Sequence, residues 1–250
     1  MKERIKRLRV FAGPNGSGKS TLYNYLTQVS AFNTYYHINP DLIAKDIAVS
    51  FNLDNWPIEF SYSELIDYLK ISPFQTLGNY NLTDIFHFED RRLSIKDASF
   101  VDSYFAAAIA DFLRYKMMLS DSSFSFESVF SHESKIKELE IAKKAGFKIY
   151  LYFVTTSDPS INFQRIRNRV ETGGHDVPDE KIFNRYNRTL NNLYSAFKFA
   201  DRAYLFDNSS ERLNGSFEIF AEKNGDDLYL CENVNIPQWF DEYVIKKLMK

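Results

Sequence analysis

Apolar residues recur along the chain with two different periods. Leu8 to Ala12 is a short, mostly apolar run that ends in a glycine cluster, and Thr21, Leu22, Tyr25 and Leu26 follow at helical spacing. That order predicts strand, loop and helix. Tyr35 to Asn39 predicts a second short strand, closed by Pro40. Phe124 to Phe130 predicts a third, because Phe124, Phe126 and Ser128 alternate with Ser125, Glu127 and Val129. Ile136, Leu139 and Ala142 mark a helix stopped at Gly146, the residue type expected just past a helix end. Lys148 to Thr155 follows with a continuous apolar centre, Ile149 to Val154, as in strands covered on both faces. Ala203 to Phe206 predicts a fifth strand. Strands alternating with helices imply an α/β fold, a parallel sheet flanked by helices with right-handed crossovers.

Two regions depart from this alternation. Residues 52–98 hold Trp56, Phe60, Tyr62, Tyr68, Phe74, Tyr80, Phe86 and Phe88 with weak periodicity. They are expected to form an aromatic-rich insertion after the second strand, packing as a small helical subdomain, with a substrate roof or a partner surface as the other readings. A long helix at about 100 to 118 should follow. Near the end, Phe217 to Ala221 and Leu228 to Cys231 flank Asn224-Gly225, a strong hairpin signal, and residues 238–249 predict a closing helix. Residues 1–250 therefore read as a single α/β domain carrying the insertion 52–98.

Composition narrows the function classes. The chain has 250 residues, with 44% hydrophobic and 26% charged content, enough for one large core. Its 31 Lys and Arg against 33 Asp and Glu leave a formal charge of -2, which removes the global electrostatic case for binding nucleic acid or a membrane surface. Cys231 is the sole cysteine, so an intrachain disulfide and a cysteine zinc site are excluded; it reads as a small buried hydrophobe on a strand. The longest apolar run, Phe105 to Ala110 continuing past Asp111 to Leu113, falls far short of the ~18 residues of a membrane helix. The basic start, Met1 to Arg9, is followed by no signal-peptide core, and a cytoplasmic location is expected. Of only 9 glycines, Gly13, Gly16 and Gly18 cluster near the N-terminus and Gly173 and Gly174 are adjacent. Scarce glycine points to places where the backbone tolerates no side chain.

The first cluster, Gly13-Pro14-Asn15-Gly16-Ser17-Gly18-Lys19-Ser20 followed by Thr21, fits the G-x-x-x-x-G-K-[ST] (Walker A) pattern between a strand and a helix. Backbone N–H groups of roughly residues 16 to 20 would face one anion, assisted by the helix dipole. Lys19 would reach the β- and γ-phosphates and Ser20 would ligate Mg²⁺. The expected nucleotide is ATP, and these residues do not separate it from GTP; no Asn-Lys-x-Asp guanine signature is found, which disfavours switch GTPases. The phosphoryl acceptor is water or a small hydroxyl compound. Asn39-Pro40-Asp41 lies just past the second strand, at the carboxyl end where ligands bind in parallel sheets. Asp41 either takes the proton of an attacking hydroxyl or caps the helix Leu42 to Val49.

Arg165, Arg167 and Arg169 precede Gly173-Gly174, and Arg185 and Arg188 follow. Arg165 and Arg169 share one helical face, Arg185 and Arg188 another. With Gly173-Gly174 as hinge and Pro178 starting the next helix, this reads as a lid of cations closing over the transferring phosphate, some of the arginines being ordinary solvated surface. His175 would contact phosphate or substrate, or order its loop by a hydrogen bond. None of the 4 histidines has metal-site spacing; Mg²⁺ would be held by Ser20, phosphates and water.

The chain resembles the zeta toxin family of P-loop kinases. The resemblance is carried by Ala12 to Thr21, by Ile38 to Ala44, by Phe124 to Ser128, and by Arg169 to Pro178 continuing to Ile182, Arg185, Tyr186, Arg188 and Asn192-Leu193; Ala200 to Asn208 is similar to the family's final strand. It implies an ATP-dependent kinase acting on a hydroxyl of a small substrate, a UDP-N-acetyl sugar in the best-understood members. Asp41 matches the family's catalytic base, and Arg169 and Arg185 match its lid pattern. Glu127 matches an acidic strand-end position that binds substrate or sits behind Mg²⁺, although an ordinary solvated glutamate is the competing reading. Asn39, Arg165, His175 and Arg188 complete the candidate substrate set. The insertion interrupts a stretch where the family runs quickly from the Asp motif into a helix. Toxin members pair with a small antitoxin that blocks the nucleotide site, which makes an antitoxin a candidate partner. The alternatives are an antibiotic or metabolite kinase on the same scaffold and a nucleotide-dependent binding module without phosphotransfer. A polynucleotide kinase is disfavoured by the lack of a basic stripe.

Overall fold

The computed structural model describes residues 5–28, 32–71, 85–97, 103–172, 177–210, 217–232 and 235–249. Two compact units emerge: residues 1–34 with 127–250, and residues 35–126. The elements in chain order are β1 (Arg7–Ala12), α1 (Lys19–Thr27), β2 (Tyr36–Ile38), α2 (Pro40–Ile47), β3 (Phe51–Asn52), α3 (Tyr62–Lys70), β4 (Phe86–Glu89), β5 (Arg92–Ile95), α4 (Ser103–Leu119), β6 (Phe124–Ser128), α5 (Ser134–Lys144), β7 (Lys148–Thr155), α6 (Pro159–Glu171), α7 (Asp179–Phe199), β8 (Arg202–Asp207), β9 (Ala221–Asn224), β10 (Asp227–Leu230), α8 (Gln238–Phe240), a π-helical turn (Asp241–Ile245) and α9 (Lys246–Leu248).

In the first unit the strand order is β10-β9-β8-β7-β1-β6. β1 runs parallel to β7 with Arg7 opposite Lys148, and β7 runs parallel to β8 with Tyr150 opposite Arg202. β9 and β10 add an antiparallel end. The core explains why β7 carries no polar alternation: Phe11, Leu22, Tyr152, Val154, Phe206 and Phe217 form one buried cluster. Phe11 stacks on Tyr152 with centroids 4.9 Å apart, and Tyr152 on Tyr204 at 5.0 Å. Burial pushes the Tyr152 phenol up to about 12.

Two local expectations change here. The hairpin turns at Gly225-Asp226, with Gly225 at φ 64, and its first strand begins only at Ala221. Cys231 is exposed rather than buried, its thiol donating to the Ile219 carbonyl at 2.9 Å, because the chain leaves β10 at that residue. The closing helix forms where expected, with a π turn inside it. No helix among the described residues is long and apolar enough to cross a membrane.

In the second unit β2 pairs in parallel with the first half of β6, Tyr36 opposite Phe124, and the long helix α4 forms as expected. The insertion is not purely helical. Besides α3, it contributes an antiparallel sheet of order β3-β5-β4. The cause is a short period-two pattern hidden among aromatics: Leu93 and Ile95 are buried while Arg92 and Ser94 turn outward. The β4–β5 turn uses Asp90 and Arg91, both at positive φ (48 and 58), in place of the Asn-Gly step that marks such turns. The Arg91 guanidinium holds this turn by donating to the carbonyls of Leu53, Trp56 and Ile58 at 2.8, 2.9 and 3.0 Å. α3 starts with a capping box, Ser61 with Glu64. Phe60 and Tyr68 then meet Phe112 of α4 edge-on at 4.8 and 5.2 Å. Phe74 and Tyr80 lie outside the described residues.

Candidate phosphate-binding site

The loop from Gly13 to Ser20 joins β1 to α1, as the spacing requires. Its glycines have steric reasons to be there. A Cβ on Gly13 would lie 2.0 Å from the Val154 carbonyl oxygen of β7, and one on Gly16 would lie 2.5 Å from the Asn162 carbonyl oxygen of α6. Gly18, at φ 99, is the N-cap of α1 and turns the chain into the helix. Pro14 is buried, while Asn15 and Lys19 are partly so.

Two loop amides are turned away from an anion. The Gly13 N–H donates to Ser128 O of β6 at 3.3 Å, and the Ser17 N–H donates back to Pro14 O at 3.3 Å. The amides expected to converge thus narrow from an unbroken run of residues 16 to 20 to a set without Ser17. Pro14 O also accepts from the Lys19 ammonium at 2.9 Å. Ser20 Oγ donates to Glu127 Oε2 at 2.7 Å, and Glu127 is 6% exposed. This decides against an ordinary solvated glutamate at the end of β6. A hydroxyl has one proton and two lone pairs, so donation to Glu127 leaves the Ser20 lone pairs available to a cation. The pair offers a hard-oxygen set of the kind Mg²⁺ accepts when phosphates and water complete its shell. Thr21 follows on the exposed side of α1.

The arginines expected to form a lid sit on two packed helices. Arg165 is half-buried and Arg169 exposed on α6; Arg185 is half-buried and Arg188 exposed on α7. Ile166, Val177 and Ile182 form an apolar cluster between the helices, and Arg167 of α6 pairs with Asp179 at the start of α7. Arg167 is thereby a helix-to-helix tie. α7 is in turn clipped to the segment after β6: Thr189 Oγ1 donates to Val129 O at 2.7 Å and Asn192 Nδ2 to Phe130 O at 3.0 Å. Gly173, Gly174 and His175, the expected hinge and its histidine, lie outside the described residues.

Asp41 and Asn39 belong to the second unit. Of the two readings of Asp41, the structure does not realise the cap: α2 begins at Pro40, and Asn39 is the N-cap, its Oδ1 accepting from the Asp41 N–H at 2.8 Å. The Asp41 side chain is exposed and makes no hydrogen bond or ion pair among the described residues.

Sequence reasoning missed the residues that hold the loop. Asn162 Nδ2 donates to Asn15 O at 2.6 Å, and Asn208 Nδ2 donates to Ser17 O at 2.7 Å. Asn162 is fully buried and Asn208 is 4% exposed. Thr156 donates its hydroxyl to Asn162 Oδ1, and the Tyr186 hydroxyl of α7 donates to Thr156 O at 2.6 Å. Burial pushes the Tyr186 phenol up to about 12, so it remains a donor at neutral pH. The available signal was positional: Thr156 and Asn208 directly follow β7 and β8, at the carboxyl ends where parallel sheets bind ligands.

No family model matches the sequence. An uncharacterized protein of Haemophilus influenzae is 35% identical over 63 residues, which is 25% of this chain and 45% of that protein. Among solved structures, a chain of the AvrRxo1-ORF1:AvrRxo1-ORF2 complex crystallised with sulphate ions matches 96% of this chain and 63% of its own, with a TM-score of 0.57 at 13% identity. A chain of the same pair crystallised with ATP matches with a TM-score of 0.54 at 15% identity, over 92% of this chain and 61% of its own. A chain of the PezAT chromosomal toxin-antitoxin system of Streptococcus pneumoniae matches 98% of this chain and 80% of its own, with a TM-score of 0.50 at 13% identity. The chain shares the fold of these AvrRxo1 and PezAT chains, a mostly parallel sheet flanked by helices. The chain spans less than two thirds of the AvrRxo1 chains it matches, so the likeness concerns architecture.

Proposed function

We propose that the protein is an ATP-dependent phosphotransferase that moves the γ-phosphoryl group to a hydroxyl of a small acceptor, a UDP-N-acetyl sugar being the class the resemblance suggests. The observation that carries this reading is the Ser20–Glu127 hydrogen bond at 2.7 Å beside a glycine loop whose close approaches admit no side chain. Such a loop presents amides to phosphate, and the hydroxyl–carboxylate pair suits Mg²⁺, which would neutralise charge on the phosphate oxygens. Lys19 would exchange its contact with Pro14 O for the β- and γ-phosphates. Asp41, exposed and relieved of capping by Asn39, would take the acceptor hydroxyl's proton as its oxygen attacks phosphorus. Arg169 and Arg185 would stabilise the charge on the transferring group, with Arg165, Arg188 and His175 contacting substrate. The ATP-bound neighbour and the toxin-antitoxin neighbour support ATP as the nucleotide and an antitoxin as a partner.

The test is a mass-spectrometric screen for phosphorylated products in a mixture of nucleotide sugars and metabolites with Mg²⁺ and ATP. Asp41→Asn should bind ATP as the wild type does and lose transfer by roughly 100-fold or more, the scale of a general base. Lys19→Ala should weaken both. Transfer by Asp41→Asn at the wild-type rate would end the base assignment, and ATP bound without transfer to any acceptor would leave a nucleotide-dependent binding module.

A further inference from the structure

An anion-binding loop works only if its amides face inward, and glycine makes such a loop flexible as well as permissive. Something must hold the peptide planes. In a trans peptide the carbonyl oxygen and the next residue's N–H point to opposite sides, and the chain contains no cis bond among the described residues. A group that grips the carbonyl of residue i therefore also aims the amide of residue i+1.

Two buried side chains grip this loop at alternate peptides. Asn162 Nδ2 donates to Asn15 O at 2.6 Å, which turns the Gly16 N–H away from α6; Asn208 Nδ2 donates to Ser17 O at 2.7 Å, which turns the Gly18 N–H away from the end of β8. Neither grip is loose. Asn162 has its Oδ1 occupied by the Thr156 hydroxyl, and Gly16 lies so close to the Asn162 backbone that a Cβ would stand 2.5 Å from its oxygen. Asn208 is fixed by its own N–H, which donates to Thr155 O at 2.7 Å. Its neighbour Asp207 accepts from Trp239 Nε1 at 2.7 Å and from the Ser209 N–H at 2.8 Å. The intervening Ser17 amide is folded back onto Pro14 O and the Gly13 amide is held on Ser128 O of β6, while the peptides of Gly16 and Gly18 are the two gripped through the preceding carbonyl.

We propose that Asn162 and Asn208 are positioning residues that aim the Gly16 and Gly18 amides at a bound phosphate. Each acts through one peptide plane. The inference rests on the nucleotide-binding reading above and extends it to residues outside the motif. It also ties the loop to α6, because Asn162 lies on the same helix as Arg165 and Arg169.

Glycine-selective ¹⁵N labelling tests it, since the chain has only 9 glycines and Gly18 follows its sole Ser-Gly step. Adding Mg²⁺ and ADP to the wild type should move the Gly16 and Gly18 amide protons downfield as they take an anionic acceptor. Asn162→Leu, nearly isosteric but without a donor, should abolish the Gly16 shift while retaining that of Gly18. Asn208→Leu should do the reverse, and each should lower ADP affinity by roughly tenfold or more. Should a leucine variant lose the dispersed glycine spectrum, Asn→Ala at that position is read in the same way. Both glycine shifts persisting in both variants, with wild-type affinity, would overturn the proposal. No glycine shift in the wild type would overturn the nucleotide reading and this proposal together, which distinguishes the two failures.

Discussion

Replacing Gly16 by alanine separates two costs that glycine loops usually confound. The first is conformational: at φ 75 an L-residue pays roughly 1–2 kcal/mol. The second is steric, because the new Cβ would sit 2.5 Å from Asn162 O and 3.1 Å from Asn162 C and Cα. All of these are backbone atoms, so no rotamer change relieves them. Reaching ordinary contact requires a retreat of about 0.9 Å, and the same movement would stretch the 2.6 Å bond from Asn162 Nδ2 to Asn15 O beyond hydrogen-bond range. Leaving that buried pair unmade adds roughly 1–3 kcal/mol, for a total of about 2–5 kcal/mol. Gly225 supplies the control: at φ 64, a Cβ there meets nothing within 4 Å, so Gly225→Ala carries the conformational cost alone. Chemical denaturation of both variants should show Gly16→Ala the more destabilised by at least about 1 kcal/mol, with ADP affinity lowered roughly tenfold only for Gly16→Ala. Equal destabilisation of the two, with nucleotide binding intact, would refute the claim that α6 backs the loop at this glycine.

Two further outcomes concern stability. Lys223 is buried, its ammonium donating to Ala200 O and lying 5.5 Å above the Phe197 ring, and desolvation lowers its pKa from 10.5. Between the lowered folded value and 10.5 the unfolded chain holds a proton that the native chain has released, so stability should rise with pH across that window. Denaturation curves from neutral pH to about 10 should show this rise in the wild type and not in Lys223→Met; parallel profiles would contradict it. In the second unit, Arg91→Ala removes the Nη2 donor shared by three carbonyls and should cost about 2–3 kcal/mol. A loss under about 0.5 kcal/mol would show that the turn holds itself.

The strands of the parallel sheet were legible because each is a short, mostly apolar or alternating run with its breaker at the right place. β7 was expected at Lys148 to Thr155 and is found there, since burial on both faces leaves nothing polar to blur its ends. The insertion was not legible in the same way. β3 has two residues and β4 and β5 have four each, too few for alternation to stand out beside Trp56, Phe60 and Tyr62. The turn joining β4 to β5 is formed by Asp90 and Arg91 at positive φ, and no local rule flags an arginine there. It is stabilised by carbonyls 33 to 38 residues away, information that no window of the sequence contains.

The site divides along the same line. What the motif encodes is local: which residues must lack a Cβ and which carry the ammonium and the hydroxyl. The partners that make these groups useful come from other segments, Glu127 from 107 positions away, Asn162 from 147 and Asn208 from 191. A parallel sheet gathers the carboxyl ends of its strands on one rim, so Glu127 at the end of β6, Asn162 in the first turn of α6 beyond β7 and Asn208 just after β8 become neighbours of the loop whatever their distance in sequence. Asp41 shows the complementary limit. An aspartate just inside a helix start is read as a cap by its type, yet the preceding Asn39 takes that role because the cap must have non-helical backbone angles, which Asn39 has at φ -125, ψ 118. Pro40, with its fixed φ and missing N–H, suits the first helical position, which places Asp41 one residue too late to cap. Its carboxylate is therefore left to solvent by the backbone geometry of the residue pair before it.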